Sequence, residues 1–202
     1  SLEIPVSFLI KWNGNFEVVF VFCRKERCRM FEKGSYIVYG NSGVCQVEDI
    51  ITMDMKGVPR DRLFYVLNPS AQKGGKIFTP VDNEKTHMRP VLTPEEASKL
   101  IDEIPEIEEL WIANEKLREA QYKECMKSCD CKEWIKIIKT LYLRKRARSA
   151  QGKRITSTDE KYLRMAEDYL YTELEIPLGI PKARMEAYIG ERVRRREEAD
   201  QV

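Results

Sequence analysis

The sequence predicts an α+β fold, with a small β-barrel in its first half and a compact all-helical domain in its second. Five short β-prone segments, separated by turn residues, fall between residues 34 and 80. The composition changes after residue 92, where helical periodicity begins. A chain of 202 residues with ordinary apolar content is long enough for one domain or two small ones.

Residues 1–29 differ in character from the remainder of the chain. Phe16–Phe22 is a β-prone run with little charge, and a basic cluster follows it. One interpretation is an extra edge strand. The other is a leader that is not translated natively, because Arg24–Arg27 is encodable by a ribosome-binding sequence shortly before Met30. An N-terminal peptide upstream of Met30, found by mass spectrometry of the native protein, would exclude the second interpretation.

The predicted barrel occupies residues 30–92. Its clearest turn is Gly40-Asn41-Ser42-Gly43, whose glycines can adopt positive φ. Short strands at this spacing are typical of a strongly bent barrel of the SH3 or Tudor type. The predicted strands are Tyr36–Tyr39, Val44–Ile50, Ile50–Met55, Leu63–Leu67 and Lys76–Thr79.

Helical signals fill the predicted second domain, residues 93–202. Trp134 falls on the apolar stripe of one of these helices, which favours a role in core packing. Ile176–Pro181 predicts a turn before the last helix. Capping signals mark three helix starts: Thr93-Pro94-Glu95-Glu96, Asp130-x-x-Glu133 and Ser157-x-x-Glu160.

The stretch Leu110–Tyr122 predicts a helix that continues to about Lys127. In that helix Trp111, Arg118 and Tyr122 share one line, roughly 140° away from the apolar stripe. A large aromatic side chain beside a cation on a solvent-facing surface indicates a contact surface for nucleic acid or protein. The predicted buried stripe consists of Leu110, Ala113, Leu117 and Ala120.

Charge is distributed unevenly, although the net charge is only +2. Residues 93–110 hold seven acidic residues and one basic residue, whereas residues 111–164 hold fifteen basic and seven acidic residues. This basic excess is consistent with an ordinary solvated helical surface or with a footprint for a polyanion.

The residue inventory disfavours an enzyme, a metalloprotein and a membrane protein. His87 is the single histidine, and neither a nucleophile with its base nor a phosphate-binding fingerprint is visible. The spacing Cys125-x3-Cys129-x-Cys131 lacks the CxxC pairs typical of zinc sites. No apolar run is long enough to span a membrane. We expect no catalytic residues, no metal and no cofactor, and we expect the six cysteines to be reduced thiols of a cytoplasmic protein.

Taken together, these motifs resemble those of the CarD/CdnL family of bacterial RNA-polymerase-binding transcription regulators, over roughly residues 31–189. In the predicted barrel the matching segments are Gly34-Ser35-Tyr36-Ile37-Val38-Tyr39, Gly43-Val44-Cys45-Gln46-Val47, Tyr65-Val66-Leu67, Thr79-Pro80-Val81 and Met88-Arg89-Pro90-Val91-Leu92. In the helical half they are Trp111, Ser128-Cys129-Asp130, Leu141 with Arg144, and Thr158-Asp159-Glu160-Lys161.

The resemblance implies a Tudor-like domain, shared with the transcription-repair coupling factor, that docks on the β subunit of RNA polymerase. It also implies that the helical domain meets promoter DNA at the upstream edge of the transcription bubble. There Trp111 would lie against the minor groove and help to hold the melted state. Ala113 and Asn114 stand where the family has basic residues, so the contact is expected to rely on the cations that follow.

Helical phase and resemblance together give the expected sites. The DNA-binding residues are Trp111, Lys116, Arg118, Tyr122 and Lys123. The polymerase-binding residues are Met53, Met55 and Phe78.

The predicted function is that of a monomeric, non-enzymatic regulator that contacts minor groove and phosphates with little base readout and alters open-complex stability. The alternative is a stand-alone basic nucleic-acid-binding module without a polymerase tether. That alternative predicts salt-sensitive binding to bare nucleic acid and no association with polymerase.

Overall fold

The structure is a computed structural model that describes residues 6–12, 15–21, 30–53, 61–71, 74–112 and 114–199, with the backbone alone for 6–12, 15–21 and 197. In the N-terminal unit, Ser1–Glu32, strand β1 (Val6–Trp12) pairs antiparallel with strand β2 (Asn15–Val21). The β-prone run predicted from Phe16 onwards therefore forms most of β2. That residues 1–29 are not translated natively stays a prediction.

The second unit, Lys33–Val202, begins with a five-stranded antiparallel sheet of order β6-β5-β4-β3-β7. Its chain order and topology confirm a small Tudor-like β domain ahead of the helices. The strands are β3 (Tyr36–Tyr39), β4 (Val44–Thr52), β5 (Leu63–Pro69), β6 (Ile77–Pro80) and β7 (Met88–Pro90).

Two details of the predicted strands are wrong. The strands predicted at Val44–Ile50 and Ile50–Met55 form one strand through Thr52, because no turn residue interrupts the run. An irregularity in its pairing between Val47 and Asp49 bends the strand instead. Strand β7, which pairs with β3, is not predicted, since its three residues end at a proline.

The predicted turn between β3 and β4 is confirmed. Gly40 and Gly43 have φ values of 43° and 65°, which side chains other than glycine rarely adopt. A Cβ atom on Gly43 would also lie 3.0 Å from the ring of Tyr169. This glycine therefore permits both the turn and the close approach of a helix to the sheet.

Five α-helices follow the sheet in the part of the chain that the structure describes. The capping box at Thr93 and the N-cap at Asp130 are confirmed. The third start is one residue earlier than predicted, because the Thr156 hydroxyl accepts the hydrogen bond from the Asp159 amide. The helices are α1 (Pro94–Glu103), α2 (Arg118–Lys127), α3 (Cys131–Ala150), α4 (Ser157–Leu178) and α5 (Lys182–Ala199).

The turn predicted at Ile176–Pro181 begins later than expected. Helix α4 includes Pro177 in its last turn and ends at Leu178, and the capping residue Gly179 adopts the left-handed conformation. None of the helices that the structure describes is long and apolar enough to cross a membrane.

A buried core joins the sheet to the helices. Val38 and Val44 of the sheet belong to the same cluster as buried residues from all five helices. Trp134 is completely buried, and its ring meets the ring of Tyr169 edge-on, with the centroids 5.6 Å apart at 71°. The α+β fold and the core role of Trp134 are thus confirmed.

Candidate nucleic-acid interface

Trp111 does not lie in a helix. A 3-10 turn occupies Glu115–Leu117 and α2 begins only at Arg118, so the helix predicted from Leu110 is wrong over its first part. Asn114 explains the late start, since its side-chain oxygen accepts a 2.9 Å hydrogen bond from the Lys116 amide and caps the turn.

The buried face of α2 changes as a result. Leu117, predicted to be buried, is 58% exposed, whereas Tyr122 is completely buried. Burial raises the pKa of Tyr122 to about 12, and the nearby Asp159 carboxylate acts in the same direction. The solvent-facing position predicted for Tyr122 is therefore wrong. The buried residues of α2 are Tyr122, Cys125 and Met126.

The segment of residues 107–115, which we call the Trp111 loop, is fastened at its start to α3. The ammonium group of Lys139 donates to the carbonyl oxygens of Ile104, Pro105 and Ile107, at 3.1, 3.3 and 2.5 Å. Three carbonyls that converge on one ammonium fix the direction in which the chain leaves the short turn after α1.

Two further contacts hold the rest of the loop along α3. The Leu110 amide donates to the Thr140 hydroxyl at 2.8 Å. At the end of the loop, the Glu115 carboxylate accepts two hydrogen bonds from Arg144, at 2.8 and 3.1 Å. Thr140 and Arg144 are four residues apart and share one face of the helix.

Trp111 projects from this fastened loop. Its side chain is 79% exposed, the highest value for any large apolar side chain in the part of the chain that the structure describes. Tryptophan is highly buried on average, so a loop that displays one to solvent indicates a contact surface.

Exposed cations flank the loop on its C-terminal side. Lys116 and Lys123 are exposed. Neither forms an ion pair with any residue that the structure describes, so both ammonium groups are available to an anionic partner. Arg118, the third predicted cation, is half-buried and already engaged by carboxylates.

These carboxylates belong to a four-residue network that the sequence does not predict as a site. Asp159 is completely buried. Its two oxygens lie 3.0 Å from Arg118 Nε and 3.7 Å from Arg144 Nε. The geometry of both contacts is too poor for hydrogen bonds, so they are ion pairs only.

Glu115 closes the network on its solvent side. Its carboxylate accepts from Arg144 and from Arg118. Hydrogen bonding to Arg144, followed by that to Arg118, holds the pKa of Glu115 below its ordinary value against the opposite effect of burial. The same contact raises the pKa of Arg144. The only sequence signal for this network is that Arg144 and Asp159 both fall in segments that resemble the CarD/CdnL family.

The predicted polymerase-binding residues lie apart from the Trp111 loop in the chain. Phe78 is 49% exposed on β6, an edge strand of the sheet. Met53 follows the end of β4 and is half-buried. Met55 lies outside the described residues.

The clustered cysteines contact different groups. The thiols of Cys125, Cys129 and Cys131 lie near a Glu133 oxygen, the Gly40 carbonyl and a Glu173 oxygen, at 3.3, 3.6 and 3.2 Å. Burial raises the pKa of Cys125 to about 12, so its thiol is protonated at neutral pH. Among the residues that the structure describes, no group of histidine, cysteine and acidic side chains could hold a metal ion.

The second unit combines a Tudor-like sheet with a basic helical half that displays a tryptophan. Residues 31–92 match the family of CarD-like/TRCF RID domains. The match covers β3 to β7 and confirms the predicted resemblance for this part of the chain. It suggests that this part is an RNA-polymerase-interacting domain. No curated protein matches the chain.

Proposed function

We propose that this protein is a non-enzymatic transcription regulator that docks on the β subunit of RNA polymerase and contacts promoter DNA at the upstream edge of the bubble. Trp111 is the observation that carries the proposal. It is 79% exposed in a loop fastened at several points, and the chain also holds a CarD-like/TRCF RID domain. A regulator with this arrangement acts by binding, and none of its steps needs a catalytic group.

The tether explains how a modest DNA contact suffices. Docking by residues 31–92 raises the local concentration of the helical half near the promoter, so weak DNA binding becomes effective. The regulator then shifts the equilibrium between closed and open promoter only by its differential affinity for the open form.

An aromatic side chain in the minor groove supplies that differential affinity. Unstacking a base step costs about a few kcal/mol, and an apolar wedge lowers the cost by filling the opened step. Trp111 meets this requirement because Lys139 and the bond from Leu110 to Thr140 fasten its loop to α3 before any DNA binds. Less conformational entropy is then lost on binding than with a loose loop.

The flanking cations favour binding to DNA of any sequence. Lys116 and Lys123 offer point charges suited to phosphate oxygens, and such contacts position a protein on DNA without reading its sequence. We therefore expect an effect on many promoters, graded by how easily each one opens.

The test measures the lifetime of promoter open complexes with polymerase and the full chain. Wild type alters the lifetime, and Trp111→Ala returns it to the value without the regulator. Tyr142→Ala is the matched control, because Tyr142 is an exposed aromatic residue, 59% exposed, on α3. It keeps the wild-type effect.

Two results would contradict the proposal. If Trp111→Ala and Tyr142→Ala acted alike, Trp111 would have no special part in promoter opening. If the full chain bound bare duplex DNA but did not co-purify with polymerase, the stand-alone nucleic-acid-binding module would replace the tethered regulator.

A further inference from the structure

We propose that Arg118 and Arg144 form a phosphate-binding clamp, and that the carboxylate of Glu115 occupies the phosphate site in the free protein. The inference rests on the proposed function and adds a ligand site and its internal competitor to it. The ligand is a backbone phosphodiester of the DNA that Trp111 meets.

The outward geometry of the two arginines carries the first step. Both terminal nitrogens of Arg144 donate hydrogen bonds to the Glu115 carboxylate, at 2.8 and 3.1 Å. Arg118 donates to the same carboxylate. A guanidinium that binds a carboxylate with two parallel hydrogen bonds binds a phosphate in the same manner. The carboxylate thus marks where a phosphate oxygen pair would sit.

The inward geometry explains why the arginines face outward. Both Nε atoms point towards the completely buried Asp159, at 3.0 and 3.7 Å from its oxygens. A buried negative charge held between two guanidinium groups fixes their position and leaves their terminal nitrogens for a ligand.

The charge balance favours exchange of the occupant. Two arginines, Asp159 and Glu115 sum to zero, and a singly charged phosphodiester in place of the Glu115 carboxylate restores the same balance. Glu115 is also on the surface, with 60% of its side chain exposed. Solvent around the exposed carboxylate weakens its pairing with the arginines, so an incoming anion can displace it.

The proposed phosphate site is close to Trp111 in the sequence. Glu115 lies four residues after Trp111 and directly before Lys116. Displacement of Glu115 removes one of the contacts that hold the Trp111 loop to α3. Phosphate binding is therefore coupled to the freedom of the loop, and the internal carboxylate weakens binding to DNA that lacks other contacts.

The test titrates inorganic phosphate into the full chain and follows the Nε–H resonances of Arg118 and Arg144 by NMR. Glu115→Gln is expected to raise the phosphate affinity about tenfold, the effect of one charge-assisted contact. Glu109→Gln is the matched control. Glu109 is exposed in the same loop and forms no ion pair with the residues that the structure describes. Its substitution by glutamine removes the same charge as Glu115→Gln. Its effect stays below about twofold, since solvent screens it.

A second variant confines the effect to the clamp. Arg144→Gln added to Glu115→Gln abolishes the gain if the clamp exists, whereas an unchanged gain would overturn the proposal. So would equal gains in Glu115→Gln and Glu109→Gln.

Wild type and the three variants are then titrated with a short DNA duplex. If Glu115→Gln raises the affinity for duplex as it raises that for phosphate, the result supports a phosphodiester as the ligand. A higher affinity for phosphate without a higher affinity for duplex would contradict this choice of ligand. Neither titration contains polymerase, so the two proposals are tested separately. The clamp can be confirmed when no effect on promoter opening is found, and the effect on promoter opening can be confirmed when the clamp is not.

Discussion

At the residue scale, two tryptophans of the same helical half have opposite environments. Trp134 is completely buried, and the guanidinium carbon of Arg89 lies 5.8 Å from its ring centroid. Trp111 is 79% exposed. Burial decides what each contributes, because a side chain already in water loses no apolar contact when it is removed.

Alanine substitution should therefore separate the two residues. Trp134→Ala is expected to lower the free energy of unfolding by about 3–5 kcal/mol, the usual cost of deleting a buried tryptophan. Trp111→Ala is expected to change it by less than about 0.5 kcal/mol. Denaturant unfolding followed by far-ultraviolet circular dichroism measures both. Equal losses would mean that Trp111 stabilises the fold and is not a free contact residue.

The two tryptophans also show what helical periodicity can and cannot predict. Trp134 lies three, four and seven residues from other apolar positions, and this spacing correctly places it in the core. For Trp111 the expected exposure is confirmed although the helix that led to it is wrong. The error falls instead on Tyr122, because its predicted face was counted from a helix start that Asn114 moves downstream.

At the scale of elements, the Trp111 loop depends on α3 for its conformation. Thr140 is central to this dependence, since its hydroxyl accepts from Leu110 and donates to the Lys136 carbonyl at 2.7 Å. A threonine in a helix commonly makes the second of these bonds. The first bond is a tertiary contact between residues thirty positions apart, and periodicity carries no information about it.

Thr140→Val should loosen the loop, because valine keeps the shape of threonine but offers the Leu110 amide no acceptor. Loss of one neutral hydrogen bond is worth about 1 kcal/mol, so hydrogen exchange at the Leu110 amide is expected to accelerate about fivefold. Ser149→Ala is the control, since it removes an exposed hydroxyl from the same helix and should leave that rate unchanged. Unchanged exchange in Thr140→Val would show that other contacts hold the loop.

The elements themselves are largely readable from local chemistry. Thr93 with Glu96 and Asp130 predict two helix starts that the structure confirms, since a cap is made by residues within one turn. The buried ion pairs of Arg118 and Arg144 with Asp159 cannot be predicted in this way. These residues come from three helices, and only the packing of α2, α3 and α4 brings their charges together.

At the scale of the whole molecule, the sheet and the helical half are joined by a buried ion pair. Glu173 of α4 is completely buried and accepts two hydrogen bonds from Arg89 of β7, at 2.5 and 2.8 Å. It also accepts from the Leu92 amide at 3.1 Å, where the chain leaves the sheet. Burial lowers the pKa of Arg89, but the contacts with Glu173 outweigh this effect and raise it above its ordinary value.

This junction bears on the proposed function, because a regulator of that kind would have to transmit its position on the polymerase to the tryptophan. If the sheet docks on polymerase, a rigid connection from β7 to α4 fixes the helical half relative to the docking site. The partners are 84 residues apart in sequence, so no local pattern predicts their pairing. Only the match of Met88-Arg89-Pro90 to the family motif singles out Arg89.

Glu173→Ala should therefore weaken the whole second unit. Loss of one partner leaves the largely buried Arg89 charge and the Leu92 amide without their acceptor, at a cost of about 3 kcal/mol in the free energy of unfolding. Glu175→Ala is the control, since Glu175 is a half-buried glutamate of α4 that forms no ion pair with the described residues. It should cost less than about 1 kcal/mol. Urea unfolding with one probe in the sheet and one in the helices measures both variants. Coincident loss at the two probes is expected from the shared core, whereas loss confined to one probe would show that the pair does not join the two halves.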